Sequence, residues 1–161
     1  MCAHGAFDLL HPGHVRLLEQ ARDFGDILVV AVQSDRLADR LTDESARAET
    51  ARAGGVAEAT AAGARRPINP AAERAEILSA LSSVDFVTIV DEPLAEFLKK
   101  FRPDVFVCGS EADGRAGSSD SNAPDALERA LEEIGCRLVR LPQEPGYSTS
   151  LLIERIAGLE T

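Results

Sequence analysis

Apolar residues along the chain fall into two rhythms. Short, largely β-branched runs recur at Ile27–Val32 (ILVVAV), Phe86–Val90 (FVTIV), Val105–Val107 and Arg137–Leu141 (RLVRL), each of strand length. The first is unbroken by polar residues, as a strand covered on both faces requires. Between the runs lie stretches with helical spacing. Over His14–Phe24, Val15, Leu18 and Ala21 fall on one stripe with Leu17 beside them. Asn69-Pro70 predicts a helix start, with Asn69 as N-cap, Pro70 at the first helical position, and Glu73 and Glu76 near the positive end. Pro93–Lys100, Pro124–Ile134 and Ser148–Ile156 complete the helices, and Gly135 stands where a C-cap glycine belongs. Strand alternating with helix predicts an α/β fold, a doubly wound and mostly parallel sheet with right-handed crossovers.

Two stretches break the rhythm. Asp43–Ala64 is rich in Ala, Glu, Arg and Gly with almost no large apolar residue, which predicts a flexible insertion in one domain spanning 1–161. Ser110–Asn122 reads as a polar loop at a strand end, where open α/β sheets bind ligands. The length of 161 residues and 45% hydrophobic content suit a single domain with a real core. The net charge of −10, from 27 acidic against 17 basic residues, argues against nucleic acid or an anionic membrane as partner, since such binding draws on a basic face. No run approaches the roughly 18 apolar residues of a membrane span, and no signal-peptide pattern opens the chain. Cys2, Cys108 and Cys136 are scattered, which points away from a zinc ribbon or disulfide scaffold and toward a reduced, cytoplasmic protein.

The candidate chemistry is concentrated at the start. All three histidines lie within the first fourteen residues, and His11-Pro12-Gly13-His14 is the informative piece. Histidines three apart at a helix entrance point the same way, while Gly13 lets a ligand approach the backbone. Unpaired N–H groups and the helix dipole make that entrance an anion site. Two imidazoles there can donate to phosphate oxygens as negative charge grows in a transition state. Gly5-Ala6-Phe7-Asp8 forms the preceding strand-to-loop turn. His4 reads as incidental to this site, and a closed metal cage of Cys2, His4, His11 and His14 suits the Pro-Gly spacing poorly. Cys108, with no histidine near it in sequence, reads as a small strand-end residue rather than a nucleophile. Only Met1–His4 precede Gly5, which predicts either a short first strand or a recorded start downstream of the true one.

The string GAFDLLHPGH resembles the G-x-F-D-x-x-H-x-G-H signature of the cytidylyltransferase-like nucleotidyltransferases, whose relatives include glycerol-3-phosphate cytidylyltransferase, phosphopantetheine adenylyltransferase and the class I aminoacyl-tRNA synthetases. The resemblance continues through GDILVVAVQSD, RPINPAAERAEILSALSSVDFVTIVDEP, RPDVFVCGSE and GYSTSLLIERI, most of the chain outside the insertion. The RPINP, ERAEIL and VDFV series is most similar to the heptose-1-phosphate adenylyltransferase branch, which joins a nucleoside triphosphate to a sugar phosphate and releases pyrophosphate.

The resemblance implies roles for particular residues. His11 and His14 would bind the triphosphate and stabilise the transition state at the α-phosphorus. Gly5, Ala6, Phe7 and Gly13 would line the phosphates, with Asp8 on the sugar-phosphate side. Ser148 and Thr149 would touch the β- and γ-phosphates, a role that hydroxyls and amides at a helix start suit in their own right. Gly109 and Glu111 would belong to the nucleoside-binding loop. Arg66 and Arg74 would be phosphate contacts, Arg74 serving equally well as a structural residue. Where the sugar-phosphate branch often carries a lysine, this chain has Cys108. The implied partners are ATP and a small phosphorylated acceptor, with Mg²⁺ bridging the phosphates rather than held in a protein cage. CTP with glycerol-3-phosphate or another alcohol phosphate is the rival pair, and a non-catalytic nucleotide-binding protein is the rival from another class. A homodimer through an exposed sheet edge or the helix after Pro70 is a further expectation.

Overall fold

The computed structural model describes residues 1–41, 67–109, 123–142 and 144–158. The expected insertion at 43–64 and the loop at 110–122, with Arg66 and Glu111, lie outside them. Five strands form one all-parallel sheet in the order β3-β2-β1-β4-β5: β1 (Cys2–Gly5), β2 (Val29–Gln33), β3 (Phe86–Val90), β4 (Val105–Gly109) and β5 (Arg137–Leu141). The helices are α1 (Pro12–Ala21), continued by a 3₁₀ turn over Arg22–Phe24, then α2 (35–41), α3 (Ala71–Ser79), α4 (Leu94–Phe101), α5 (Ala123–Ile134) and α6 (Thr149–Ala157). No helix among the described residues is long and apolar enough to cross a membrane.

The sheet is covered on both faces, and strand alternation sorts the core accordingly. Ala3, Val30, Val32 and Val107 pack with Leu18 and Ala21 of α1 and Leu78 of α3. Cys2, Ala31, Phe106 and Cys108 face the other way, against Leu94, Phe97 and Leu98 of α4 and Leu131 of α5. Val30, Ala31 and Val32 have no exposed surface, which explains the unbroken apolar run. Its first two residues precede the strand. Ile27 is half exposed, and Leu28 is held by Asp85, whose carboxylate accepts from the Leu28 amide at 2.7 Å.

The first strand is short but central. Cys2 and Ala3 each pair with β2 on one side and β4 on the other. The ladder between β1 and β4 holds two residue pairs, against four between β1 and β2 and five between β4 and β5. Beyond Ala3 and Val107 that ladder ends, and the connections leave for opposite faces, α1 after β1 and α5 after β4. This is the switch point of a doubly wound sheet, where ligands bind at the carboxyl ends of the strands.

Helix starts follow local chemistry with one exception. Pro12 takes the first position of α1, so this helix begins two residues before the expected His14. Gly135 follows α5 with φ of 70°, the left-handed position a C-terminal glycine serves. Ser148 caps α6, its hydroxyl accepting from the Leu151 amide at 3.1 Å. Asn69 does not cap α3. Pro70 holds extended ψ, the helix starts at Ala71, and the cap comes from elsewhere: the Asp35 carboxylate accepts from the Ala71 amide at 2.8 Å. The Asn69 side chain instead donates to the Asp8 carbonyl at 3.0 Å.

Candidate active site

A pocket of about 420 Å³ opens over the carboxyl ends of β1 and β4, a volume in the range of small-molecule sites. The amino-terminal ends of α1 and α6 both border it, through His11, Gly13 and His14 on one side and Ser148, Thr149 and Ser150 on the other. Among the described residues its lining contains no Lys or Arg, and the groups there that favour an anion are the amide ends of α1 and α6.

His11 and His14 are placed by the first turn of α1. His11 is its N-cap in extended backbone, and the His14 amide donates to the His11 carbonyl at 2.9 Å. The two rings stack with centroids 3.8 Å apart and planes 19° from parallel, and Phe7 meets His14 edge-on at 5.3 Å. Phe7 is buried at φ of 50°, a backbone region a bulky side chain enters only under constraint. That conformation lays its ring against Gly5, where a Cβ would come within 3.1 Å of Phe7 Cε2. At Gly13 a Cβ would lie 3.0 Å from His11 Nδ1 and 3.2 Å from Tyr147 Cβ. The glycine thus makes room for its own neighbours, beyond the ligand access expected of it.

The stacked pair is uncharged at neutral pH. Burial, reinforced by the charge His11 would carry, lowers His14 from 6.5 to about 4, and burial also lowers His11. The Nδ1 atoms of both rings are buried with no hydrogen-bond partner among the described residues. Asp8 shows the same pattern. Its Oδ1 accepts from the Ile68 and Asn69 amides at 2.7 and 3.0 Å, while its Oδ2 is buried without a partner among the described residues. Native proteins satisfy nearly all buried polar atoms, so such a cluster around one pocket marks a ligand site.

Residues 2–59 match the family model for cytidylyltransferase-like proteins. Bifunctional protein HldE of Streptomyces coelicolor is 39% identical over 158 residues, covering 98% of this chain and 28% of that protein. Bifunctional protein HldE of Campylobacter curvus is 38% identical over 154 residues, covering 95% and 26%. The likeness to these relatives extends beyond residues 2–59, over nearly the whole chain. The chain spans about a quarter of the length of these curated relatives. In solved structures the fold recurs in the lipopolysaccharide core biosynthesis protein from Thermoplasma volcanium, with a TM-score of 0.55 at 23% identity over 89% of this chain and 93% of that one. It recurs again in pantothenate synthetase from Thermus thermophilus, with a TM-score of 0.50 at 15% identity over 88% and 55%.

The pocket gathers Gly5, Ala6, Phe7, Asp8, His11, Gly13, His14, Gly109, Ser148 and Thr149 from the expected set. Arg74 is elsewhere. Its side chain is fully buried, and its guanidinium donates to the Asn69 carbonyl at 2.8 Å, to Asp35 Oδ1 at 2.7 Å and to the Ala6 carbonyl. With its donors occupied by protein acceptors it takes the structural role, fastening the loop after β1 to α3. Ser148 likewise uses its hydroxyl as a cap, so what α6 offers the pocket is its amide end and the neighbouring hydroxyls.

Tyr147 and His4 are among the lining residues outside the expected set. Tyr147 lies nearly parallel to His11 with centroids 6.3 Å apart, and the guanidinium of Arg16, ion-paired to Glu144 at 2.8 Å, lies over its ring 5.5 Å from the centre. Its position inside the GYSTS string was the available signal. The other is His4. Expected to be incidental, it lines the pocket from the end of β1, with Nε2 buried and unpartnered among the described residues. Burial lowers it from 6.5 to about 4.

Proposed function

We propose that this chain transfers AMP from ATP to a sugar phosphate of the heptose-1-phosphate class and releases pyrophosphate. The observation that carries the reading is the neutral His11–His14 stack at the start of α1, its inner nitrogens unpartnered, facing a pocket at the sheet's switch point. The likeness to the HldE proteins over nearly the whole chain supports it.

An oxygen of the acceptor phosphate attacks the α-phosphorus in line. A new P–O bond forms, the bond to the bridging α–β oxygen breaks, and its electron pair leaves with pyrophosphate. No covalent intermediate on the protein is required, so catalysis is positioning and charge stabilisation. A neutral imidazole already has one N–H to give a phosphate oxygen. As charge gathers, proton uptake makes its second nitrogen a donor too. The amide ends of α1 and α6 receive the remaining phosphate charge. Asp8, fixed through Oδ1, keeps Oδ2 for the acceptor side.

The side chains fit a magnesium ion carried on the substrate phosphates. Among the described residues no three His, Cys, Asp or Glu groups converge as a cage, and Asp8 Oδ2 is a carboxylate oxygen still open to a ligand. The ion would neutralise phosphate charge, and the protein would hold the phosphates in line. Membrane and nucleic-acid partners have no place in this reading, and the reaction is one of the cytoplasm.

Pyrophosphate release with Mg²⁺ tests it, ATP and CTP each being offered with sugar-1-phosphates and alcohol phosphates. The expected best pair is ATP with a heptose-1-phosphate, and a His11→Ala/His14→Ala double variant should be inactive. CTP with glycerol-3-phosphate as the best pair would overturn the adenylyl assignment. Nucleotide binding without release from any pair would overturn the enzyme reading itself.

A further inference from the structure

We propose that His4 is a substrate-binding residue whose Nε2 hydrogen-bonds a sugar hydroxyl in the pocket, across the sheet edge from the stacked histidines. The identity of the substrates rests on the transferase reading. The placement of His4 does not.

Strand alternation puts His4 on the same face as Cys2, the face packed by α4 and α5, whereas α1 with His11 and His14 covers the face of Ala3. The register sets Ala3 beside Val107, so His4 stands next to Cys108 where the β1–β4 ladder has ended. Both residues line the pocket. The pocket therefore wraps over the carboxyl edge of the sheet, with the phosphate machinery on one side and His4 on the other. On its β2 side His4 remains in register with Ala31, so its backbone is fixed by the central strand.

Three features select a hydroxyl. The Nε2 atom is buried and has no partner among the described residues, which leaves its hydrogen bond for a bound group to make. The amide end of α1, which draws phosphate, lies on the opposite face of the sheet from His4. A neutral imidazole presents either a donor or an acceptor at Nε2, and a hydroxyl answers both, whereas a carbonyl or an ammonium answers only one. Hydroxyls reach this pocket on the nucleotide's ribose and on a sugar-phosphate acceptor, and the experiment separates the two.

The His4→Phe variant keeps a flat ring and removes both nitrogens. Dissociation constants would be measured for ATP and its 2′-deoxy and 3′-deoxy analogues, with KM for the acceptor and for its deoxy analogues, alongside Tm. The expected result is a loss of about three- to tenfold for one hydroxyl-bearing substrate, the size of one neutral hydrogen bond. The analogue lacking that hydroxyl should bind parent and variant alike. Loss in the ATP series assigns the ribose, and loss in the acceptor series assigns the acceptor sugar. Equal binding of every compound by parent and variant would overturn the proposal. So would an equal loss across all compounds together with a drop in Tm, which is the signature of a packing residue. Should His4→Phe not fold, the parent alone decides, since it must prefer one hydroxyl-bearing compound to its deoxy analogue by the same factor. A parent that binds ATP without releasing pyrophosphate would sink the transferase reading, and the binding series would still read His4.

Discussion

Two imidazoles stacked 3.8 Å apart tolerate one another only while at most one is charged, and burial keeps them neutral. Their unpartnered nitrogens cost the folded protein stability that only a ligand returns. Replacing His14 by Asn should therefore lower kcat by about 10²–10³, the usual effect of losing one transition-state donor, without lowering Tm. Steady-state kinetics and a melt on the same sample check both halves, and a Tm that falls with kcat would make His14 a packing residue. Gly13 is the companion case. Alanine would favour the helix by up to about 1 kcal/mol, yet its Cβ would meet His11 Nδ1 at 3.0 Å and Tyr147 Cβ at 3.2 Å. The expected outcome for Gly13→Ala is a displaced His11 and a kcat loss of about tenfold or more, with Tm little changed. The histidine pair was legible in sequence because its partners are three residues apart on one helix turn. His4 and Tyr147 reach the pocket from separate elements, and although Tyr147 stands inside the GYSTS string, no local pattern places either one against the histidine pair.

Between elements, the loop after β1 is held by one buried cation. Arg74 of α3 bonds the Ala6 and Asn69 carbonyls and the Asp35 carboxylate, and Asp35 also caps α3 through the Ala71 amide. In Arg74→Met two carbonyls would lose a buried charged donor, so urea unfolding should show a loss of about 2–4 kcal/mol. Asp35→Asn should cost about 1 kcal/mol, since its half-exposed side chain can be hydrated and its cap role is partly kept. Equal losses from the two would mean that the ion pair, rather than the carbonyl contacts, dominates. Strands β3 and β5 and the end of α5 were readable from local pattern and match residue for residue. The start of α3 was not, because its cap is supplied by a residue 36 positions away rather than by the Asn-Pro pair beside it.

At the scale of the molecule, the alternation of strand and helix carried the doubly wound architecture, but no periodicity could say that β1 lies at the centre and meets β4. That pairing sets the switch point, and with it the burial of His4 and His14, two histidines lowered from 6.5 to about 4. Their depressed titration fixes the sign of the protein's pH dependence. Above pH 6.5 the rings are neutral in both folded and unfolded chains and contribute no pH dependence. As pH falls below 6.5 the unfolded chain takes up protons that the folded chain refuses until about pH 4, so stability is lost across that window. The net charge of −10 acts oppositely lower down, where protonated carboxylates relieve repulsion, so pH 5–6.5 isolates the histidines. There Tm should fall with acid, and His14→Asn should remove a large part of that slope, His4 and the less buried His11 supplying the rest. A His4→Phe/His14→Asn double variant should keep only the slope that His11 supplies, and a parent curve superimposable on it would show that neither ring is buried neutral. Mg²⁺–ATP should oppose the loss, because a triphosphate favours a protonated ring in the stack, and the melt repeated with nucleotide should shift the acid limb to lower pH.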